Sequence, residues 1–332
     1  FKKKASLRRN ISISFENIRK LNTDVKKCAF CRKRHRGANM KFSLPRHTAE
    51  NLFEMLKRTI TAVIGISLLA VVCYFSDTLA FPIVFGLLAV VGVYEMLGCV
   101  GMRRNFIVAL SLYIMTASVT VLSQTISSLS YFISAFASFL FCVLTILFAV
   151  SVLSEGKVPV DKACVSFVTC SYVVTGFISV VVLRRAPHGA YLYLLPFIVP
   201  WLSDTFAYLC GRLFGKHKLI PSVSPNKTVE GSIGGIVFGI AGCVGYGIAM
   251  SKIFNVAIHV WIFAVLGFLI SVASQIGDLI FSLIKRRYGI KDYGFIFPGH
   301  GGVLDRFDSV VATAPLILIV YELLIKLGVI AI

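Results

Sequence analysis

The sequence predicts an all-α polytopic integral membrane protein with about nine transmembrane helices. The chain of 332 residues is 57% hydrophobic and only 15% charged, and its mean hydropathy is +0.84. Soluble domains are nearer half apolar and a quarter charged. Apolar segments of nearly the length needed to cross a bilayer also recur along most of the chain. Together these observations exclude an ordinary soluble protein.

Nine apolar segments are long enough, or nearly long enough, to cross a bilayer. The predicted segments are residues 59–75, 78–97, 105–122, 131–153, 163–183, 191–202, 232–250, 254–284 and 309–330. The sixth is short and is bounded by Pro187, Pro196 and Pro200, which restrict helix geometry. The eighth is long, and we expect its last part to project from the bilayer as a helix.

Basic residues in the loops predict the orientation. With nine spans, most of them fall on one side, which the positive-inside rule makes the cytoplasm. The N-terminus is then inside and the C-terminus outside. Arg184 and Arg185 depart from this pattern. The basic residues that agree with the pattern are Lys57, Arg58, Arg103, Arg104, Lys157, Lys162, Arg212, Lys216, Lys218, Lys227, Lys285, Arg286, Arg287, Lys291 and Arg306.

Residues 1–54 form a basic, polar N-terminal extension. They contain 15 Lys or Arg against 4 Asp or Glu, a net charge of +11, and the remaining residues 55–332 carry 19 against 11, a net of +8. Such a tail can bind anionic lipid or nucleic acid, but its composition favours a disordered or non-native extension, and we expect no nucleic-acid partner. Because the chain begins with Phe1, we expect Met55 to be the native start of the membrane domain.

The nine cysteines do not form a disulfide framework. Seven lie in or beside apolar segments, where Cys behaves as a small hydrophobe. Cys28 and Cys31 form a CxxC pair, but a structural zinc site normally needs two such halves. The sequence therefore predicts no zinc site.

The seventh apolar segment is rich in glycine. Gly231, Gly235 and Gly239 recur at four-residue spacing, and small residues at this spacing let helices approach closely in lipid. We expect this helix to pack tightly against a neighbour.

A first polar cluster spans residues 203–231. Asp204 directly follows the sixth apolar segment, so we expect it near the edge of the hydrocarbon, and Ser224, Lys227 and Thr228 lie further along. Hydroxyls and an ammonium group in this arrangement suit phosphate binding. The alternative is a solvated basic loop that merely follows the topology rule. Residues 211–216 are not a P-loop, because the spacing is one residue short and the Ser or Thr is missing.

A second polar cluster begins inside the eighth segment. Its polar residues recur every three or four positions, which puts them on one helical face. They are Ser271, Ser274, Gln275, Asp278, Ser282 and Lys285. A carboxylate inside an apolar helix is a functional candidate by default.

The run from residue 282 to 308 continues this cluster with charged residues, glycines and a histidine. Asp278, Asp305 and Asp308 offer the oxygen ligands that Mg²⁺ prefers, while Lys and Arg side chains neutralise phosphates. Gly301 and Gly302 allow backbone N–H groups to approach phosphate. Any one of these residues could be structural, but their concentration between two predicted spans favours nucleotide chemistry.

This run resembles the signature of the phosphatidate cytidylyltransferases, also called CDP-diacylglycerol synthases. The matching positions are Ser282, Lys285, Arg286, Lys291, Asp292, Gly294, Pro298, His300, Gly301, Gly302, Asp305, Arg306 and Asp308. The runs 203–205, 224–231 and 274–278 are also similar to motifs of that family. The resemblance covers residues from Met55 to the C-terminus.

The resemblance implies a nine-helix membrane enzyme that forms a homodimer. We expect it in the inner membrane of the cell, and the positive-inside rule predicts that its active site faces the cytoplasm. Such an enzyme converts CTP and phosphatidate to CDP-diacylglycerol and pyrophosphate for phospholipid biosynthesis. It also implies a Mg²⁺ cofactor, as one or two ions, held by Asp278 and Asp305.

These inferences together predict the roles of the site residues. The predicted catalytic residues are Asp278, Asp305, Lys285, Arg286 and His300. The predicted substrate-binding residues are Lys227, Ser224, Thr228, Lys291, Gly301, Gly302 and Arg306. The predicted metal ligands are Asp278 and Asp305, with Asp308 and Asp204 as further candidates. We expect His300 to donate a hydrogen bond to phosphate.

The alternative functions are those of two related lipid enzymes and of a transporter. A CTP-dependent polyprenol kinase or an enzyme that makes CDP-linked ether lipids would use similar motifs, because lipid preference is not encoded in them. A transporter is disfavoured, since the charges concentrate in loops on one face and the hydropathy shows no internal repeat.

Overall fold

The computed structural model describes residues 63–65, 67–126, 128–254, 259–297 and 301–328. The chain divides into two units, Phe1–Phe53 and Glu54–Ile332, and the described residues all belong to the second. The predictions for residues 1–54, including Cys28 and Cys31, and the prediction for His300 lie outside the described residues.

The described part of the chain consists of helices and one small hairpin, and eight of the helical spans are long and apolar enough to cross a membrane. The helices are α1 (Val63–Tyr74), α2 (Ala80–Val100), α3 (Phe106–Thr125), α4 (Leu129–Leu153), α5 (Val160–Arg185), α6 (Gly189–Leu192), α7 (Leu195–Phe214), α8 (Val229–Phe254), α9 (Val260–Arg287) and α10 (Leu304–Lys326). The short α6 and α7 together form one of the eight spans. The protein is therefore an all-helical polytopic membrane protein, as predicted.

The structure corrects two of the predicted segments. The sixth was expected to end at Leu202, but α7 continues to Phe214. Asp204 lowers the local hydropathy without ending the helix, because apolar residues such as Leu209 and Leu213 continue on its exposed side. Asp204 therefore lies within a membrane helix and not in a loop. The eighth segment was expected to begin at Phe254, but α9 begins at Val260.

The rest of the predicted polar loop is a hairpin. Strand β1 (Lys218–Ile220) pairs antiparallel with β2 (Ser224–Thr228), with an irregularity in the register between Lys218 and Ile220. The Glu230 carboxylate closes the base of the hairpin, since its Oε1 lies 2.7 Å from Nδ1 of His217 and accepts the backbone N–H of His217 at 3.2 Å. The hairpin leads directly into α8.

The helices form two packed groups that α10 connects. Helix α2 packs against α3 and α5, and α8 packs against both α7 and α9, while α10 packs against α5 and α9. Phe85, Met96 and Phe177 are fully buried in the first group. Cys243 and Ile270 are fully buried in the second. Leu304 and Val310 of α10 belong to the core of the first group, and Ile317 and Tyr321 belong to that of the second.

The glycines of α8 confirm the predicted close packing. A Cβ atom on Gly235 would lie 2.8 Å from the backbone oxygen of Ser203 and 3.0 Å from Cβ of Ala207, both on α7. A Cβ atom on Gly239 would overlap Ser271 of α9. The glycine-rich helix therefore lies against two neighbours, which brings the polar residues of α7 and α9 close together.

Arg184 and Arg185, which depart from the predicted charge pattern, have partners in the structure. The Arg184 guanidinium forms an ion pair with Asp77, and Arg185 donates a hydrogen bond to the backbone oxygen of Ser123. Both lie at the last turn of α5, where cations interact favourably with the helix dipole. Both charges therefore have partners close by in the structure.

Candidate active site

A cavity of ≈ 950 Å³ opens between the N-terminal helices, α7, the hairpin and the start of α10. One wall is apolar and comes from α1 and α2. It consists of Leu68, Leu69, Val72, Val84 and Leu88. The polar part of the lining comes from α7, β2, α9 and α10. It includes Asp204, Lys227, Thr228, Gln275, Asp278, Asp305, Arg306 and Asp308. The structure thus brings the two polar clusters of the sequence into one cavity.

Lys227 and Asp278 join the hairpin to α9. The Lys227 ammonium forms an ion pair with Oδ2 of Asp278, and the Asp278 side chain is 29% exposed. Oδ1 of Asp278 lies 3.4 Å from the hydroxyl of Ser282, one turn later on the same helix. Because Asp278 is partly exposed to the cavity, its carboxylate is accessible to a ligand.

Asp204 and Asp308 complete a group of three carboxylates with Asp278. The charge on Asp308 is repelled by Asp278 and by Asp204 and is attracted by Lys285. Asp204 is attracted by Lys227 and repelled by Asp278. Three acidic groups on three different helices, α7, α9 and α10, therefore share one region with the cations Lys227 and Lys285.

Asp305 has a different environment, because its carboxylate is almost fully engaged by the protein. Oδ1 lies 2.8 Å from the Lys285 ammonium, and the Asp305 side chain is only 2% exposed. Oδ2 accepts the backbone N–H of Tyr293 at 2.8 Å and that of Gly302 at 2.9 Å. Asp305 therefore holds the loop before α10 in place and also borders the cavity.

Tyr293 fixes the middle of the same loop. Its hydroxyl donates a hydrogen bond to the backbone oxygen of Phe281 at 2.9 Å. Burial raises the pKa of the Tyr293 phenol, and the nearby Cys99, Asp305 and Asp308 raise it further. At neutral pH the hydroxyl is therefore protonated and remains a donor.

The carboxylates fit the predicted Mg²⁺ by their chemistry. Within the described residues, no three His, Cys, Asp or Glu side chains form a ready-made metal cage. Mg²⁺ usually binds one or two carboxylates together with substrate phosphates and water, so it does not need such a cage. The mutual repulsion of Asp204, Asp278 and Asp308 would be relieved by a cation in the cavity.

The predicted site residues are not all in this cavity. Asp204, Lys227, Thr228, Asp278, Asp305, Arg306 and Asp308 line it. Lys285 and Gly302 are connected to the cavity through Asp305, which lines it. The Lys285 ammonium forms an ion pair with Asp305, and the backbone N–H of Gly302 donates a hydrogen bond to it. Ser224 begins β2, Gly301 pairs with Phe297, and Arg286 is exposed at the end of α9.

Lys291 lies in a second cavity of ≈ 770 Å³, which Arg103, Arg104 and Asp292 also line. This location separates Lys291 from Asp278 and Lys227. Its predicted role in substrate binding stays a prediction.

Glu95 is the clearest residue that the sequence prediction missed. It lies near the end of α2, within an apolar segment, and it contacts the loop before α10. The rule that marks Asp278 as a candidate, an ionisable group within an apolar helix, applies equally to Glu95. The apolar wall from α1 and α2 was also missed, because no periodicity distinguishes a lining residue from one that faces lipid.

Comparison with known proteins identifies the family. The model of the cytidylyltransferase family matches residues 56–324. The chain belongs to the cytidylyltransferase family. This match covers the whole described cavity, and it confirms the resemblance seen in residues 282–308.

Several similar proteins of this cytidylyltransferase family bear the name phosphatidate cytidylyltransferase. That of Staphylococcus saprophyticus is 41% identical over 167 residues, which is 50% of this chain and 62% of the relative. Those of Staphylococcus haemolyticus and Staphylococcus epidermidis are each 40% identical over the same shares. The aligned part of the chain thus spans less than two thirds of each relative.

Proposed function

We propose that this protein transfers the cytidylyl group of CTP to phosphatidate, giving CDP-diacylglycerol and pyrophosphate. Membership of the cytidylyltransferase family and the name of the relatives support the reaction class and the two substrates.

One observation carries the proposal, namely that a single cavity joins an apolar wall to charged groups. Leu68, Val72 and Leu88 line it from α1 and α2, and Lys227, Asp278 and Arg306 line it from β2, α9 and α10. A lipid with a phosphate headgroup has the same division, with acyl chains that need an apolar surface and a phosphate that needs cations. A water-soluble substrate alone would give no reason for the apolar wall.

The proposed reaction forms one P–O bond and breaks one. An anionic phosphate oxygen of phosphatidate attacks the α-phosphorus of CTP, and the bond from that phosphorus to the bridging oxygen breaks as pyrophosphate leaves. The nucleophile is already ionised at neutral pH, so no general base is required. The main obstacle is the repulsion between two polyanions, which positioning and fixed charges can overcome.

The cations and carboxylates divide this work. Lys227 and Arg306 line the cavity and are placed to bind phosphate groups. Asp278, with Asp204 and Asp308 beside it, would hold Mg²⁺, and Asp305 would contribute if its contact with Lys285 opened. A bound Mg²⁺ would supply positive charge to the phosphates.

The proposal also concerns the side of the membrane on which the site lies, the membrane that holds the protein and its oligomeric state. Positive-inside counting supports a cytoplasmic site, because Arg212, Lys227 and Lys285 lie near the cavity, at the end of the bundle where CTP would enter. Relatives from bacteria support the cytoplasmic membrane as the location. The homodimer implied by the resemblance stays a prediction.

The products distinguish this proposal from its nearest alternatives. Purified protein in detergent would be supplied with CTP, Mg²⁺ and one of three lipids, namely phosphatidate, a polyprenol or an ether-linked phospholipid. We expect pyrophosphate to appear with phosphatidate only. Appearance of CDP with the polyprenol would instead identify a CTP-dependent lipid kinase, and pyrophosphate formed only with an ether-linked phospholipid would identify a CDP-ether-lipid synthase.

A further inference from the structure

Glu95 is a buried carboxylate that the proposed reaction does not use. It lies near the end of α2, is only 3% exposed, and is followed by Met96 and Leu97, which are fully buried. An ionised group in such surroundings requires strong compensation.

The compensation comes from the N-terminus of α10. Oε1 of Glu95 accepts the backbone N–H of Val303 at 3.0 Å, and Oε2 accepts that of Leu304 at 2.9 Å. The first N–H groups of a helix have no partner within the helix, and its dipole attracts negative charge there. Glu95 therefore caps α10 from a helix that is about two hundred residues distant in sequence.

Two glycines of the loop allow the carboxylate to fit. A Cβ atom on Gly294 or on Gly302 would overlap the Glu95 carboxylate. Both residues belong to the run 282–308, and Gly302 was expected from the sequence to let a backbone N–H approach phosphate. The structure gives these two positions another role, which is to let the loop close around Glu95.

The contacts of Glu95 lead directly to the site. Val303 and Leu304 immediately precede Asp305, and the backbone N–H of Gly302 donates to Oδ2 of Asp305 at 2.9 Å. Asp308 follows one turn later on α10. The position of both carboxylates therefore depends on where α10 begins, and Glu95 contacts the chain at that point.

We infer that Glu95 is a positioning residue, which holds the start of α10 so that Asp305 and Asp308 reach the proposed phosphate and metal site. The functional part of this inference rests on the proposed function. Glu95 itself does not line the cavity in the described part of the chain, so it is not a catalytic residue.

Glu95→Gln tests the inference with little change in volume. The amide replaces one acceptor oxygen with an NH₂ donor. That donor faces the backbone N–H of Val303 or of Leu304 and cannot accept its hydrogen bond. Glu95 supports the proposed metal-binding carboxylates without binding the metal itself. Loss of a supporting contact of this kind should weaken metal binding or turnover about ten- to a hundredfold, with the KM values for both substrates nearly unchanged. Glu95→Asp keeps the charge with a shorter reach, so we expect it to restore part of the loss.

Two measurements make the test independent of turnover. Mn²⁺ binding, followed by electron paramagnetic resonance, should weaken in Glu95→Gln, and amide hydrogen exchange at residues 302–306 should accelerate. If the wild-type protein released no pyrophosphate, the proposed function would fail, but these two measurements would still test the role of Glu95.

Thr116→Val is the matched control. Thr116 is fully buried in α3, and its hydroxyl donates only within that helix, to Leu112 at 2.8 Å. The control should leave Mn²⁺ affinity and residues 302–306 unchanged. Normal Mn²⁺ affinity and turnover in Glu95→Gln, or an equal loss of Mn²⁺ affinity in Thr116→Val, would overturn the inference.

Discussion

The ammonium of Lys285 lies 2.8 Å from Oδ1 of Asp305, and the two side chains are only 14% and 2% exposed. This pair connects the last turn of α9 to the first turn of α10. Because Oδ2 of Asp305 also accepts two backbone N–H groups, the carboxylate is both a structural anchor and a border of the cavity.

Breaking this pair from the lysine side should reduce stability. Lys285→Met leaves the buried Asp305 charge without its cation, and removal of one partner of a buried pair costs about 3 kcal/mol or more. Asp305→Asn alone should abolish turnover while the protein stays folded. The double variant should recover part of the stability lost in Lys285→Met, as measured by unfolding in sodium dodecyl sulfate. Additive effects of the two changes would show that the pair is not coupled.

Lys227→Met should reduce turnover strongly, because it removes a cation that contacts Asp278 and lines the cavity. A charge-assisted contact to phosphate is worth about 1.5–3 kcal/mol, which is about ten- to a hundredfold in kcat/KM. Lys218→Met is the control, since Lys218 is an exposed lysine of the same hairpin. Steady-state pyrophosphate release measures both. Equal losses in the two variants would mean that general basicity of the hairpin matters and not the position of Lys227.

Gly235→Ala should destabilise the bundle. Its Cβ would lie 2.8 Å from the backbone oxygen of Ser203, so α7 and α8 would have to separate, and overpacking of this kind costs about 1–3 kcal/mol. In Gly245→Ala the added Cβ has no atom within 4 Å, so stability should not fall. Unfolding of both variants in detergent measures the difference, and a stable Gly235→Ala protein would contradict the close packing.

Leu88→Trp should weaken binding of the lipid but not of CTP. Leu88 lines the apolar wall of the cavity, and a large side chain there would occupy the space proposed for acyl chains. Steric changes in an apolar pocket alter discrimination by about tenfold or more, so the KM for phosphatidate should rise to that extent. Leu87→Trp is the control, because Leu87 is exposed on another face of α2. A matching rise in the KM for CTP would place the nucleotide, and not the lipid, against this wall.

Much of the fold could be predicted because the bilayer constrains it. Segments of sufficient apolar length become helices, and this rule located eight of the nine predicted segments at span-length helices. It failed at the end of α7, since Asp204 lowers the hydropathy while the helix continues. Hydropathy detects contact with lipid, and a polar helix face that lines a cavity resembles a loop.

The candidate site could be predicted in its chemistry but not in its geometry. The residue types of 203–231 and 282–308 indicated phosphate and metal chemistry, and the structure brings Lys227 and Asp278 together. Sequence spacing could not show that Asp305 is bound to Lys285 or that Lys291 and Arg103 line the same cavity. Those contacts depend on how α2, α9 and α10 pack, which no local pattern encodes. Glu95 could have been marked as a candidate by its place in an apolar helix, but its partners at the start of α10 could not be predicted.

The central claim is that this protein transfers a cytidylyl group to a lipid phosphate, and the fate of labelled phosphorus tests it most directly. Purified protein would be incubated with phosphatidate, Mg²⁺ and CTP that is labelled at either the α- or the γ-phosphorus, and the organic phase would then be counted. The account predicts that the α-label enters the lipid, that the γ-label stays in aqueous pyrophosphate, and that Lys227→Met reduces the transfer. Transfer of the γ-label to lipid, or of neither label, would contradict it.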